Sequence, residues 1–233
     1  MIKENLEQVL NYIKNGNNLG EKITLVGATK TMPVEDINLA IELGLGVVAE
    51  NRVQEFREKT EFISKNARQH FIGHLQTNKV KYLVGNVSLI HSVDSDKLAF
   101  EIDKIAKKKN VIQNVLIEIN IGGELSKSGF TLEQAFDQTI EISKKYPNVC
   151  IKGLMAMLPH TDDESLLKSL CQKMRELYDR LKSYGLDFEF LSMGMSNDYM
   201  VAIQNGSNMI RLGSSIFGKR NYLDKKEENN GCI

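Results

Sequence analysis

Eight short apolar runs recur along this chain, and segments with helical spacing of their apolar residues lie between them. No other feature of the sequence restricts the fold so tightly. The runs are ITLVGA (23–28), GVVAE (46–50), QHFIG (69–73), LIHSV (89–93), NVLIEIN (114–120), VCIKGLMAM (149–157), FEFLSMG (188–194) and NMIRLG (208–213). Most are continuously apolar rather than alternating, which is the pattern of strands covered on both faces in a parallel sheet. The intervening segments carry helix punctuation. Pro33 opens PVEDINLAIELG at the expected first helical position, and Gly44 ends it. Thr131 is a cap signal for TLEQAFDQTIEISKKYP, which Pro147 stops. DDESLLKSLCQKMRELYDRLKSYG closes on basic residues and Gly185, as a helix C-terminus should, and its apolar stripe is expected to lie against the sheet.

Strand–helix alternation specifies an α/β fold. Eight units in about 200 residues match a single (β/α)8 TIM barrel better than the alternative, an open doubly wound sheet. An extra helix precedes them, with Ile2, Leu6, Val9, Leu10 and Ile13 on one face. No Pro- or Ser-rich linker interrupts the series. The expected organisation is therefore one barrel domain over residues 1–222, with residues 1–20 as its leading helix, and a polar tail over 223–233.

Composition removes several function classes. Lys+Arg and Asp+Glu both number 30 in 233 residues, for zero formal net charge, so no field favours DNA, RNA or an anionic membrane surface. Cys150, Cys171 and Cys232 are odd in number and widely spaced, forming neither a metal cluster nor a disulfide framework; buried, inert thiols in a reducing compartment are expected. The N-terminus has no continuous apolar core of the kind a signal peptide needs, and no run is long enough to span a membrane, which leads to the expectation of a cytoplasmic protein.

A barrel places its chemistry at the C-terminal ends of its strands. Lys30, Asn51, His74, Met157 and Ser196 all follow strands at that end and converge on one mouth. Two small-residue loops, SMGMSND (192–198) and RLGSSIFGKR (211–220), follow the last two strands, where barrels commonly bind phosphate. There Gly194 and Gly213 permit close backbone approach, while Ser196, Ser214 and Ser215 offer hydroxyls. Each loop alone also reads as an ordinary tight turn, and Lys30 alone as a solvated strand end. Together they suit an aldehyde carrying a phosphate, because a sheltered neutral lysine amine condenses with a carbonyl. Pyridoxal 5'-phosphate (PLP) is the obvious candidate. Arg211, if directed inward rather than engaged in a strand-end salt bridge, would face the pyridine nitrogen and keep it unprotonated.

The motifs LVGATKTMP around Lys30, AENRVQE (49–55), HFIGHLQTNK (70–79), SKSGF (126–130), GLMAM (153–157), LSMGMSND (191–198) and IRLGSSIFGKR (210–220) occur in order at compatible spacing. Over residues 5–222 the sequence resembles the YggS/PROSC-type family of pyridoxal phosphate homeostasis proteins. That resemblance implies a single barrel like the alanine racemase N-terminal domain, the PLP fold type III barrel without its C-terminal β-domain. It also implies PLP joined to Lys30, phosphate contacts at Ser196, Gly213 and Ser214, a ring-nitrogen role for Arg211, and cofactor neighbours at Asn51 and Met157. Thr29, Ala49 and Ser214 stand where the family more often has Ser, Gly and Thr.

Racemases and decarboxylases on this barrel add a second domain and a second acid/base group. Room for neither is evident after Arg220, and no convincing partner for Lys30 is found; Tyr199 and Tyr222 read as packing or rim residues. The expectation is a non-catalytic PLP carrier, monomeric, acting in vitamin B6 homeostasis, with PLP-dependent apoenzymes as possible acceptors. The rivals are a low-activity racemase-like enzyme and, more distantly, a cofactor-free Schiff-base aldolase. Lys127 and Lys219 are weighed as cofactor transfer points and read as solvated surface residues.

Overall fold

A computed structural model describes residues 1–124 and 127–218. The expected polar tail 223–233, Lys219, Arg220, Tyr222, Cys232 and Ser126 of the SKSGF segment lie outside the described residues.

Eight parallel strands close on themselves: β1 (Thr24–Ala28), β2 (Val47–Glu50), β3 (Arg68–Phe71), β4 (Leu89–Val93), β5 (Gln113–Ile119), β6 (Val149–Ala156), β7 (Phe190–Ser192) and β8 (Met209–Leu212). The closing pair decides between the two architectures. β1 and β8 run parallel, in register from Thr24↔Met209 to Gly27↔Leu212, which an open sheet would not allow. The fold is the expected TIM barrel.

The helices are α1 (Ile2–Ile13), α2 (Val34–Glu42), α3 (Val53–Lys59), α4 (Asp96–Lys109), α5 (Leu132–Lys145), α6 (Glu164–Tyr184), α7 (Tyr199–Gln204) and α8 (Ser214–Phe217). The third unit departs from the alternation, since a 3-10 helix, Thr77–Tyr82, follows β3. Thr131 and Gly185 cap where the sequence placed them, and Asp163 adds a cap that was not read from it. Thr131 Oγ1 accepts from the Gln134 amide, Asp163 from that of Leu166, and Gly185 ends α6 at φ 113°. Pro33 stands one residue earlier than expected: its ψ of 154° makes it the N-cap, and α2 begins at Val34.

Side chains from all around the ring meet in the lumen: Val26, Val47, Ala49, Leu89, Leu116, Met155 and Met209, with Ile72 and Phe190 against them. The opposite strand faces hold the helices. Ile23, Leu25, Val48, Ile210 and Leu212 pack with Leu6, Val9 and Ile13 of α1 and with Ile37 and Ile41 of α2. Asn5 Nδ2 donates to Ile216 O at 3.1 Å, seating α1 beside the β8–α8 loop. In α6, Leu167, Leu170, Cys171, Met174, Leu177, Tyr178 and Leu181 are buried. At roughly 1.5–3 kcal/mol per large apolar side chain, that stripe belongs to the barrel itself. Cys171 is the inert thiol expected, its pKa pushed up to about 12 by burial, whereas Cys150 is only half-buried. No helix among the described residues is long and apolar enough to cross a membrane, and among them no His/Cys/Asp/Glu cluster could hold a metal.

Candidate functional site

Strand alternation aims the functional side chains. Successive residues point to opposite faces, so positions two and four beyond a lumen residue share its direction. Val26 thus leads to Ala28 and Met209 to Arg211, while Asn51, Met157 and Gly213 lie one residue and Lys30 two residues beyond the ends of their strands. On four strands the next inward residue toward the mouth is polar: Leu89 is followed by His91, Leu116 by Glu118, Phe190 by Ser192 and Met209 by Arg211. The lumen is apolar at depth and polar beneath its mouth.

Lys30, Ser196, Arg211, Gly213 and Ser214 line one cavity of about 270 Å³ at the C-terminal ends of the strands. That lies near the low end of the ~300–1,000 Å³ usual for ligand pockets, enough for one small cofactor. Asn51 and Met157 follow β2 and β6 at the same end but are not among the lining residues; Met157 is largely exposed. His74 faces another, more open hollow, where its Nδ1 lies 3.3 Å from Asp94 Oδ2 and from Ser128 Oγ. Tyr199 stacks edge-on with Tyr12, and Lys127 is paired with Glu124 Oε1 at 2.6 Å.

Arg211 forms the buried cation of the site. Nη1 donates to Ser192 Oγ at 2.6 Å and to Ser192 O at 3.0 Å, and Nη2 donates to Ala156 O at 3.0 Å. All three acceptors are neutral, so no contacting carboxylate quenches the charge. Burial lowers its pKa to about 10, opposed by the fields of Asp198 and Glu118. Glu118 is itself pushed up to about 7, by burial first and then by Asp94, against the pull of Arg211.

The β7–α7 loop is folded by its own hydrogen bonds. Asp198 Oδ1 accepts from the Met195 amide at 2.6 Å, and Ser196 Oγ accepts from the Ser215 amide at 3.3 Å, joining the two small-residue loops. Burial raises the Asp198 carboxyl, with the Met195 amide and Arg211 acting against it. Ser214 opens a helical turn, so its N–H has no intrahelical acceptor. Met32, Leu158, His160, Asn197, Asp198 and Phe217 also line the cavity and were not identified from the sequence. Asn197, Asp198 and Phe217 fall within the two small-residue segments already placed at the mouth, whereas Met32, Leu158 and His160 sit in connections whose path no periodicity reveals.

Comparison with known proteins follows the geometry. Residues 2–221 match the family model described as alanine racemase, N-terminal domain. A pyridoxal phosphate homeostasis protein of Aquifex aeolicus is 43% identical over 226 residues, covering 95% of this chain and 96% of that one. The protein of the same name in Pasteurella multocida is 36% identical, covering 95% and 98%. Among solved structures, PipY of Synechococcus elongatus with PLP bound superposes with a TM-score of 0.82 at 28% identity, covering 94% of this chain and 100% of that one. An alanine racemase of Clostridium difficile gives a TM-score of 0.78 at 21% identity, covering 97% of this chain and 59% of the racemase; at that identity the likeness concerns the fold.

Proposed function

The chain belongs to the pyridoxal phosphate homeostasis protein family, built on the alanine racemase N-terminal domain, and from that premise we propose that Lys30 and the loops after β7 and β8 hold PLP in reserve for the cell. The protein is a PLP-binding protein of vitamin B6 homeostasis. The observation that carries the residue assignment is the convergence of Lys30, Arg211 and the Ser196 and Ser214 hydroxyls on one cavity.

The residues fit the group. A primary amine and hydroxyls suited to a phosphate line the same cavity, and the buried cation in that lining has only neutral hydrogen-bond acceptors. When bound, PLP supplies a reactive aldehyde and a conjugated ring able to accept electron density. Lys30 would hold the group through its side-chain amine, which can condense with an aldehyde with loss of one water. Ser196, Gly213 and Ser214 would hold the phosphate. Arg211 would face the ring nitrogen with a charge that disfavours its protonation, which would weaken the ring as an electron sink and suit storage over turnover. Asn51 and Met157, at the same end of the barrel but outside the cavity lining, would at most contribute to its outer rim.

One observation favours a second reading. His160 lines the cavity with Lys30, so a second proton donor is at hand, and weak racemase-like turnover follows if the two address opposite faces of a substrate. Deuterium exchange at the α-carbon of added amino acids, abolished by His160→Ala, would establish it. Absence of exchange leaves the carrier. We also propose that the carrier is monomeric and releases PLP to apoenzymes. Sedimentation of the loaded protein should then show a single 26.3 kDa species.

The deciding experiment is the visible spectrum. The protein mixed with PLP should turn yellow, borohydride should bleach the band, and peptide mapping should find the reduced adduct on Lys30. An adduct that survives Lys30→Ala refutes the assignment; a protein that stays colourless refutes PLP storage and favours an aldolase.

A further inference from the structure

The turn that carries Lys30 is gripped by a partly buried ion cluster whose members are not among the residues lining the cavity. Thr31, the next residue, has φ 66°, a left-handed conformation that a β-branched residue keeps only where its surroundings over-determine it. Its N–H donates to Glu55 Oε2 at 2.7 Å. Lys59, the last residue of α3, donates to that same Glu55 oxygen at 3.1 Å, to Glu50 Oε1 at 2.9 Å and to Thr29 O at 3.2 Å. Thr29 Oγ1 in turn donates to Glu50 Oε1 at 2.8 Å. The peptide units on both sides of Lys30 therefore terminate at one ammonium: Thr29 C=O directly, and Thr31 N–H through Glu55.

The three charged groups are mostly shielded, with side-chain exposures of 15% for Lys59, 8% for Glu50 and 16% for Glu55. Charge-assisted hydrogen bonds withdrawn from water are strong and directional, so the cluster acts as a fixed strut. Its own amine is fully committed to three acceptors and lies outside the cavity lining, so Lys59 is no substitute for Lys30 as a nucleophile.

We propose that Lys59, with Glu50 and Glu55, is a positioning residue that fixes the Lys30 backbone so that its amine is presented to the carbonyl of the bound aldehyde. This rests on Lys30 being the PLP-bearing lysine. Preorganisation of this kind affects covalent capture and leaves the phosphate and ring contacts on β7 and β8 alone.

The test separates capture from docking. Pyridoxine 5'-phosphate keeps the ring and phosphate but has an alcohol in place of the aldehyde, so it docks without linking. Lys59→Met should lower the borohydride-fixed adduct and the PLP affinity roughly tenfold, while pyridoxine 5'-phosphate affinity changes less than about threefold. Lys59→Arg, able to reach the same oxygens, should recover most of the adduct. Equal losses for both ligands, or no loss for PLP, overturn the proposal. A second readout needs no cofactor: in the unloaded protein, hydrogen–deuterium exchange at the Thr31 amide should rise in Lys59→Met and in the milder Glu55→Gln. Unchanged exchange there overturns the strut. Failure of wild-type protein to take up PLP instead overturns the assignment of Lys30, so the two readings fail separately.

Discussion

His70 Nδ1 and His91 Nε2 lie 3.0 Å apart between β3 and β4, with both rings almost completely buried. One ring nitrogen donates and the other accepts, so the pair is held neutral. Burial lowers both pKa values, aided at His70 by Arg68 and at His91 by His70 and Arg211; that of His70 falls to about 3. An unfolded histidine takes its proton near pH 6.5. Below that value the unfolded chain binds more protons than the folded one, so stability from this pair is full above about pH 6.5 and declines as pH drops. The limit is about 1.4 kcal/mol per pH unit for each ring. Urea unfolding should show a lower midpoint at pH 5.5 than at pH 7.5; coincident midpoints would contradict the neutral pair.

Glu118 works in the opposite direction. Its folded pKa is raised to about 7, so between about 4.5 and 7 the folded state binds the extra proton. Its contribution is greatest at low pH and is lost as pH rises through 7. Glu118→Gln, which retains the neutral shape, should stabilise the protein by about 3 kcal/mol at pH 8 and by almost nothing near pH 4. Chemical denaturation at the two pH values checks this.

The phosphate loops predict a graded loss. Ser196→Ala and Ser214→Ala each remove one hydroxyl, worth about 1 kcal/mol in an ordinary hydrogen bond, or roughly fivefold in affinity. PLP titration should show both weakened while Lys30 still forms its adduct. Ser196→Ala also deprives the Ser215 amide of its acceptor and should be the more damaging. Unaltered affinity in both variants would place the phosphate elsewhere.

Gly73→Ala tests the β2–β3 edge of the mouth. A Cβ there would sit 1.9 Å from Asn51 O, so backbone must move. The expected cost is about 3 kcal/mol, or some 6–12 °C in Tm, with Asn51 displaced from the rim. A thermal melt within about 2 °C of wild type would show that the two loops yield freely.

The barrel was legible because burial on both strand faces writes itself as continuous apolar runs, and because Thr131 and Gly185 mark helix ends chemically. Strand limits differ from the sequence reading mainly at their ends: FEFLSMG spans 188–194 but pairs only over Phe190–Ser192. Lys30 was legible from its place after the first strand at the C-terminal end of the barrel, whereas the inward direction of Arg211 was left open by the sequence and is settled by its burial. His160 and Asp198 were not singled out, because loop paths depend on tertiary packing. The Lys59 cluster was not identified from the sequence, where only the i,i+4 spacing of Glu55 and Lys59 is local and the third member, Glu50, comes from another element. The polar interruptions of LIHSV and NVLIEIN, at His91 and Glu118, belong to a polar layer inside the ring that was not identified from the sequence.

Beneath that layer, Val26, Leu89, Leu116, Met155 and Met209 act as a stopper. The stopper takes no part in chemistry and has only to fill space, so a compensated swap such as Leu116→Met with Met155→Leu should leave the ligand unaware of the change. Descendants of this chain are thus free to rewrite the rim for new guests while the plug below keeps the cylinder from collapsing.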